Sequence, residues 1–341
     1  MSASAATLTR GPYLVDASSV SAKVCWREDS GDDYCRPVES VPAGAAFQYE
    51  LPGFKSAWTG RTLPPFWDPT RFAVTGEAGD GSLAQRRVAR ILAAADVQFV
   101  LMTGDVAYPG GAETDYDAGY FKPYAKLLSS TCFFPAPGGR DYGDAWLASS
   151  GRRRVGEGYR RVFRRPMYYS FDAGPVHVAS IDDNQASRVG CAEPIGPGSA
   201  QLAWLENDLA ASAAPWKIVL MHVPLYSAGG RRGGNEWLRK TLQPVFEKNG
   251  VSLVFAGDEP LYQRSKPING VTYITAGAGG AGLKPARDAA SWLAREISAN
   301  GAIIVDASAV ALQVVLYDDD GKPRDSVALA KPGAPQPDGA P

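Results

Sequence analysis

Apolar and polar residues alternate along Val20–Trp26, with Val20, Ala22, Val24 and Trp26 on one side, which is the period of a half-buried strand. Phe47–Leu51 alternates in the same way, and Gly53, Pro64 and Pro65 punctuate the chain beyond it. Residues 1–66 therefore read as a small β appendage, too short for a free-standing sandwich. From residue 70 the pattern changes to strand, loop, helix. Phe72–Thr75 is an apolar run ending at Gly76, and Ser82 with Gln85 forms a capping box ahead of Leu83, Val88, Ile91 and Leu92. Val97–Met102 reads as a buried strand that ends in Gly104-Asp105. Residues 116–130 carry the apolar stripe of a helix, and Phe133–Pro137 is a short strand into Gly138-Gly139.

Farther on, Met167–Phe171 and Val176–Ile181 read as a strand pair turned at Asp172-Ala173-Gly174. Leu202, Leu205 and Leu209 sit at helical spacing, and Lys217–Met221 is a strand ending at His222. Residues 236–249 form an amphipathic helix that stops at Asn249-Gly250. Val251–Ala256 ends at Gly257-Asp258, and Val271–Thr275, Ala302–Val305 and Ala311–Tyr317 complete the strands. Strands alternating with helices predict an α/β fold with helices on both faces, here over residues 67–330. Ligands in such sheets bind beyond the carboxyl ends of the strands. That rule gathers Glu77, Asp105, Arg140, His222 and Asp258 on one rim, each at or just past the end of a strand.

Composition narrows the picture without naming a chemistry. The formal net charge is -1, and 45% hydrophobic with 21% charged residues is ordinary for a globular chain. Nothing here suggests nucleic acid. The one basic cluster is Arg152, Arg153, Arg154, Arg160, Arg161, Arg164 and Arg165, which reads as a solvated face with local ion pairs or, more sharply, as an anion-steering rim. No apolar run is long enough to span a bilayer. The first residues lack the pattern of a signal peptide, so a cytoplasmic location is expected, with free thiols. Cys25 and Cys35 could bridge in an exported protein. Residues 331–341, mostly Pro, Gly and Ala, read as a disordered tail.

Five stretches in order carry a resemblance: Phe72-Ala-Val-Thr-Gly-Glu-Ala-Gly, Thr103-Gly-Asp-Val-Ala-Tyr, Pro137-Gly-Gly-Arg-Asp-Tyr, Met221-His-Val-Pro-Leu-Tyr-Ser and Phe255-Ala-Gly-Asp-Glu-Pro-Leu-Tyr-Gln-Arg. Lys266-Pro-Ile-Asn-Gly-Val-Thr-Tyr and the N-terminal Arg10-Gly-Pro-Tyr-Leu add to it. Together they resemble the calcineurin-like metallophosphoesterases, most closely the purple acid phosphatases with an N-terminal fibronectin-like domain. The resemblance implies two central β-sheets flanked by helices, preceded by a truncated version of that domain. It also implies two metals. The family's pattern runs Gly-Asp, Gly-Asp-x-x-Tyr, Gly-Asn-His-Asp/Glu, a His after a strand, and Gly-His-x-His.

Against that pattern Asp105, Tyr108 and His222 match, while Glu77 replaces the first Asp, Gly139 the Asn, and Asp258 and Pro260 the last two histidines. Arg140 stands where the family has its substrate-handling His. The whole chain contains two histidines, His177 and His222. A two-metal mechanism clamps both ions about 3.5–4 Å apart around an activated water, and neither half of the ligand set is complete here. No metal is therefore expected, or at most one weakly held divalent ion on Glu77, Asp105, Tyr108, His222 and Asp258. Without metals three carboxylates would crowd the rim, and Arg140 is expected to occupy part of the space the ions left.

The sequence favours a pocket that has lost dinuclear phosphoester hydrolysis and now performs metal-free acid–base chemistry on a small molecule. Asp105, His222, Arg140, Glu77 and Asp258 are the expected catalytic groups, and Tyr108, Tyr142, Glu259 and Tyr262 the expected substrate contacts. A non-catalytic ligand-binding protein and a one-metal hydrolase are the alternatives. Asp105 and His222 are equally compatible with an inherited, purely structural role. His177 reads as a core histidine, and Asp80, Asp182 and Asp183 read as turn and cap residues.

Overall fold

The computed structural model describes residues 7–38, 40–143, 156–184, 193–229, 234–285 and 290–331. Arg152, Arg153, Arg154, Cys191 and residues 332–341 of the expected tail lie outside the described residues. The chain opens with β1 (Leu8–Val15), β2 (Ala22–Glu28) and β3 (Asp33–Val38) as an antiparallel three-stranded sheet, followed by the hairpin β4 (Ala46–Glu50) and β5 (Ala57–Arg61). Cys25 and Cys35 are cross-strand partners in β2 and β3 and form a disulfide, their Cα atoms 4.1 Å apart. The expected free thiols are corrected here: the register of two strands, which spacing alone left open, brings the sulfurs together. Cys132 remains a buried thiol.

Two large sheets follow. β6 (Thr70–Thr75), β7 (Phe99–Met102) and β8 (Cys132–Pro135) run parallel and are extended by antiparallel β16 (Gly301–Ala307), β17 (Ala311–Asp318) and β18 (Pro323–Ala330). The second sheet has β10 (Val176–Ser180), β11 (Trp216–Leu220), β12 (Val251–Ala256) and β14 (Thr272–Ala276) in parallel. Antiparallel β9 (Tyr169–Ala173), β13 (Tyr262–Ser265) and β15 (Leu293–Ile297) complete it. The inner faces meet in one core in which Phe72, Val74, Phe99, Leu101 and Phe134 pack toward Val178, Ile218, Leu220, Leu253 and Phe255.

The outer faces are covered by helices. α1 (Leu83–Ala94), the short α2 (Glu113–Tyr116), α3 (Lys122–Leu128) and α4 (Glu157–Phe163) lie on the first sheet, where Val88, Leu92, Tyr124, Leu128 and Val162 share a cluster with Ala73, Val100 and Met102. α5 (Ala200–Ala211) and α6 (Glu236–Lys248) lie on the second, with Leu205, Leu209, Leu238, Leu242 and Phe246 against Val219 and Val254. Four layers result, as expected for an α/β fold with helices on both faces. The N-terminal strands join this core: Trp26, Phe47 and Tyr49 belong to the inter-sheet cluster, and Tyr13 and Val15 to the helix-covered one. Arg10, whose side chain is almost wholly buried, pins β1 to the first helices through Glu113 and Asp117 at 3.2 and 2.7 Å.

Most expected elements appear within a residue or two of their predicted bounds. The helix expected over 116–130 starts earlier, at Glu113, and passes through a π-turn at Asp117–Phe121 before α3. Gly119 explains the irregularity, since a Cβ there would lie 2.2 Å from the Gly79 carbonyl oxygen. The extra residue of the π-turn brings the helix hard against the loop that carries Glu77.

Candidate metal centre

Parallel strands of both sheets end on the same rim, where three of them run into a glycine followed by an acid and β11 runs into a histidine. Gly76-Glu77 follows β6, Gly104-Asp105 follows β7 and Gly257-Asp258 follows β12. The glycines are sterically required. A Cβ would meet Thr103 Oγ1 at 1.9 Å from Gly76, His222 Nδ1 at 2.6 Å from Gly104 and the Thr103 carbonyl at 2.5 Å from Gly257. Glu77, Asp105 and Asp258 themselves have φ of 51°, 50° and 60°, the left-handed region that non-glycine residues rarely adopt. Three acids strained alike in one place are a signature of a functional site.

Hydrogen bonds fix these carboxylates. The Arg140 N–H donates to Asp105 Oδ1 at 2.8 Å, the Asp258 N–H to Glu77 Oε1 at 2.9 Å, and the Tyr108 hydroxyl to Glu77 Oε2 at 2.5 Å and Asp105 Oδ2 at 3.3 Å. His222 stands among them. Its Nδ1 is 2.9 Å from the Thr103 carbonyl oxygen, so Nδ1 carries the proton and Nε2 is left facing Asp105 Oδ1 at 3.5 Å and Asp258 Oδ1 at 3.9 Å. Burial and the Asp105 carboxylate hold Glu77 far above the usual carboxylate range. Burial disfavours a charged His222, yet Asp105, Glu77 and Asp258 outweigh it and raise its pKa. Burial likewise pushes the Tyr108 hydroxyl well up.

The rim thus brings together Glu77, Asp105, Tyr108, His222, Asp258 and the backbone of Arg140. The Arg140 guanidinium does not occupy the centre, as the sequence suggested. It stacks on the Tyr108 ring at 4.4 Å and donates to the Pro109 carbonyl at 3.0 Å, with Nε 3.6 Å from Asp105, and its side chain is 48% exposed. The imidazole of His222 holds the central place because β11 delivers it there from the opposite sheet. Tyr142 and Tyr262, expected as substrate contacts, are instead buried in structural networks: the Tyr142 hydroxyl donates to Asp182, and that of Tyr262 to Asp325 of β18 at 2.8 Å beside Arg264. Both motifs contain a tyrosine whose ring the core absorbs. Glu259 is buried, with Lys284 at 3.6 Å from its carboxylate. The glycine run after β14 packs under the rim, with the Ala281 N–H donating to the Glu77 carbonyl at 2.8 Å.

Two acids matter more than the sequence suggested. Fully buried Asp183 accepts the backbone N–H groups of His222 at 3.0 Å and Val223 at 2.6 Å, clamping the histidine from behind. Asp141 accepts from the N–H of Val106 at 3.1 Å, the N–H of Gly138 at 2.8 Å and the Tyr116 hydroxyl at 2.9 Å, tying the loop of Asp105 to that of Arg140. Asp141 could have been found from its place beside Arg140 in the third motif. Asp183 carries no signal beyond its position at a strand end. His177, by contrast, is satisfied by the strand beside it and the helix that covers its sheet: its ring nitrogens lie 2.8 Å from Asp172 of β9 and 2.8 Å from Asp208 of α5.

One side-chain atom each of Glu77, Asp105 and His222 lie within 4.8 Å of one another, close enough to share one ion. The donor set suits a divalent cation, with two carboxylates, a phenol nearby and an imidazole whose second nitrogen is held by a backbone carbonyl. Two mixed sheets whose parallel strands end at such a centre define an α/β protein of the metallophosphoesterase class. The family profile of calcineurin-like phosphoesterases matches residues 70–262, and the chain belongs to that family. It is 28% identical to purple acid phosphatase 21 of Arabidopsis thaliana over 282 residues, covering 74% of this chain and 59% of that protein. Its fold is similar to that of a purple acid phosphatase from yellow lupin (Lupinus luteus) seeds, with a TM-score of 0.71, 19% identity, and coverage of 91% of this chain and 59% of that one. It is also similar in fold to GAP50, the anchor in the inner membrane complex of Plasmodium, with a TM-score of 0.60, 18% identity, and coverage of 77% of this chain and 89% of that one. The chain spans 59% of the length of each of these two purple acid phosphatases.

Proposed function

We propose that this protein is a hydrolase of a small phosphoester that works with one divalent cation in place of the family's pair. Glu77, Asp105 and His222 would hold the ion, with Tyr108 and Asp258 beside it. When bound, the ion would polarise a phosphoryl oxygen and acidify a water. The observation that carries this reading is the orientation of His222: Nδ1 is committed to the Thr103 carbonyl, so Nε2 is presented to the carboxylates as a ligand nitrogen is. A second ion finds no support, because Gly139 has no side chain and Pro260 offers neither a donor atom nor an N–H. The exposed Arg140 guanidinium on the rim suits a phosphate, with the Tyr108 ring keeping its plane fixed. The convergence of three ligand atoms puts this reading ahead of the metal-free acid–base chemistry that the sequence favours.

The test is titration calorimetry of the purified chain with Mn²⁺, Zn²⁺ and Mg²⁺, together with turnover of aryl phosphomonoesters and phosphodiesters. One ion per chain and chelator-sensitive turnover are expected. Two ions per chain would overturn the reading by showing that other ligands complete the pair. No ion, with turnover indifferent to chelators and lost in Asp105→Ala, would establish the metal-free reading instead. No ion and no turnover, with stabilisation by anionic ligands, would establish a binding protein. Among the described residues no helix is long and apolar enough to cross a membrane. The Cys25–Cys35 disulfide favours an oxidising compartment over the cytoplasm expected from the sequence. Thiol titration of the native chain tests this, with Cys25 and Cys35 unreactive until reduced.

A further inference from the structure

The arginine-rich run of residues 160–165 is the basic feature that stands out in the sequence, and the fold gives Arg161 and Arg165 partners within the chain. Arg161 pairs with Glu113 at 3.3 Å, and Arg165 lies over Phe134 and Tyr169 at 4.5 and 4.9 Å and approaches Asp16. A second group of cations is not spent in this way. Arg86 and Arg90 project from α1, Lys122 and Lys126 from α3, and all four are exposed around a groove of about 580 Å³ between the two helices. Ala89, Ala93, Tyr124 and Leu127 line its floor, and exposed Leu83 stands at one end.

Neither helix contains an acidic residue, and the groove lining has none. Among the described residues no carboxylate lies within ion-pair distance of Arg86, Arg90, Lys122 or Lys126; the one ion pair of α1 is Arg87 with Asp319, on another side. On each helix the two cations stand four apart, a like-charge spacing that weakens a helix. Two such ladders facing each other across a groove, in a chain whose net charge is -1, form a local cationic surface that an external polyanion complements.

We infer that this groove docks an acidic amphipathic helix from a partner protein. A helix presents carboxylates at four-residue spacing along both flanks of an apolar stripe, which matches cations four apart on each bank and an apolar floor. The small Ala89 and Ala93 let the incoming backbone approach closely. A membrane surface fits less well, because Leu83 is the one large exposed apolar residue of the lining and an interfacial helix needs several. Single-stranded nucleic acid would want exposed rings for stacking, and Tyr124 is buried.

The inference is independent of the metal centre and is tested on the full chain. The probe is a fluorescein-labelled helical peptide of about five turns, with Leu along one stripe and Glu at four-residue spacing on either side. Saturable binding is expected by anisotropy, weakening as salt rises. Arg86→Glu combined with Lys126→Glu should weaken it at least about tenfold, while Arg161→Glu leaves it unchanged. Unaltered circular dichroism and melting of the double variant confirm that it folds. Failure of the peptide to bind would overturn the inference. So would equal binding by wild type and the double variant, or binding confined to phosphatidylserine vesicles or inorganic polyphosphate.

Discussion

The two histidines of the chain occupy two regions that look alike on paper. One sits on a parallel strand of the seven-stranded sheet and the other just past the end of one, and each is ringed by carboxylates. His177, in mid-strand β10, has one nitrogen 2.8 Å from Asp172 and the other 2.8 Å from Asp208, so its bonding capacity is used up. His222, just past β11, satisfies only Nδ1. Its Nε2 faces Asp105 and Asp258 at 3.5 and 3.9 Å, too far for hydrogen bonds, in a site whose acids sit on strained backbone. Charge around a histidine thus does not mark function. What marks it is a nitrogen that the fold orients and then leaves open.

The sharpest way to break this contrast is to remove each imidazole in turn. His222→Ala should reduce divalent-cation affinity by more than about 100-fold, since even outer-shell changes cost about 10–100-fold. Calorimetry with Mn²⁺ measures it. His177→Gln should leave that affinity unchanged. If both substitutions weakened the cation equally, the distinction between a closed and an open histidine would fail.

The next effect separates the acids behind the two histidines. Asp183→Ala leaves the buried N–H groups of His222 and Val223 without their acceptor. It should lower cation affinity about 10–100-fold and stability by about 1–3 kcal/mol. Asp208→Asn, beside His177, should lower stability alone. Thermal melts run with and without Mn²⁺ distinguish the two, because the cation-induced rise in melting temperature shrinks only for Asp183→Ala.

Sequence reasoning reached the rim but not its interior, and the reason is physical. A strand followed by glycine and an acid is local, so Glu77, Asp105 and Asp258 could be placed from periodicity and turn chemistry. Which group fills the space between them depends on how two sheets face each other. Arg140 had the right charge, and the fold turned it outward onto Tyr108. Tyr142 and Tyr262 follow the same logic: they adjoin the motifs, yet their hydroxyls pair with Asp182 and Asp325 on elements that no local pattern connects to them. Asp183 is invisible for the converse reason, since its value lies in two backbone N–H groups about forty residues away. The disulfide likewise rests on strand register, which cysteine spacing does not fix.

The smallest effect comes from the pH dependence of the closed histidine. Burial disfavours the His177 imidazolium, but the hydrogen bonds it donates to Asp172 and Asp208 prevail and raise its pKa from 6.5 to about 9. A folded-state pKa above the unfolded value means that the ion pairs stabilise the fold fully below pH 6.5 and are lost as pH climbs through about 9. Between those limits the melting temperature of the wild type should fall by a few degrees at most. In His177→Gln, where nothing titrates between Asp172 and Asp208, that part of the slope should vanish while the chain stays less stable at pH 6. A slope of equal size in both proteins would place the titrating group elsewhere and leave His177 neutral, a packed residue rather than a charged clamp between β9 and α5.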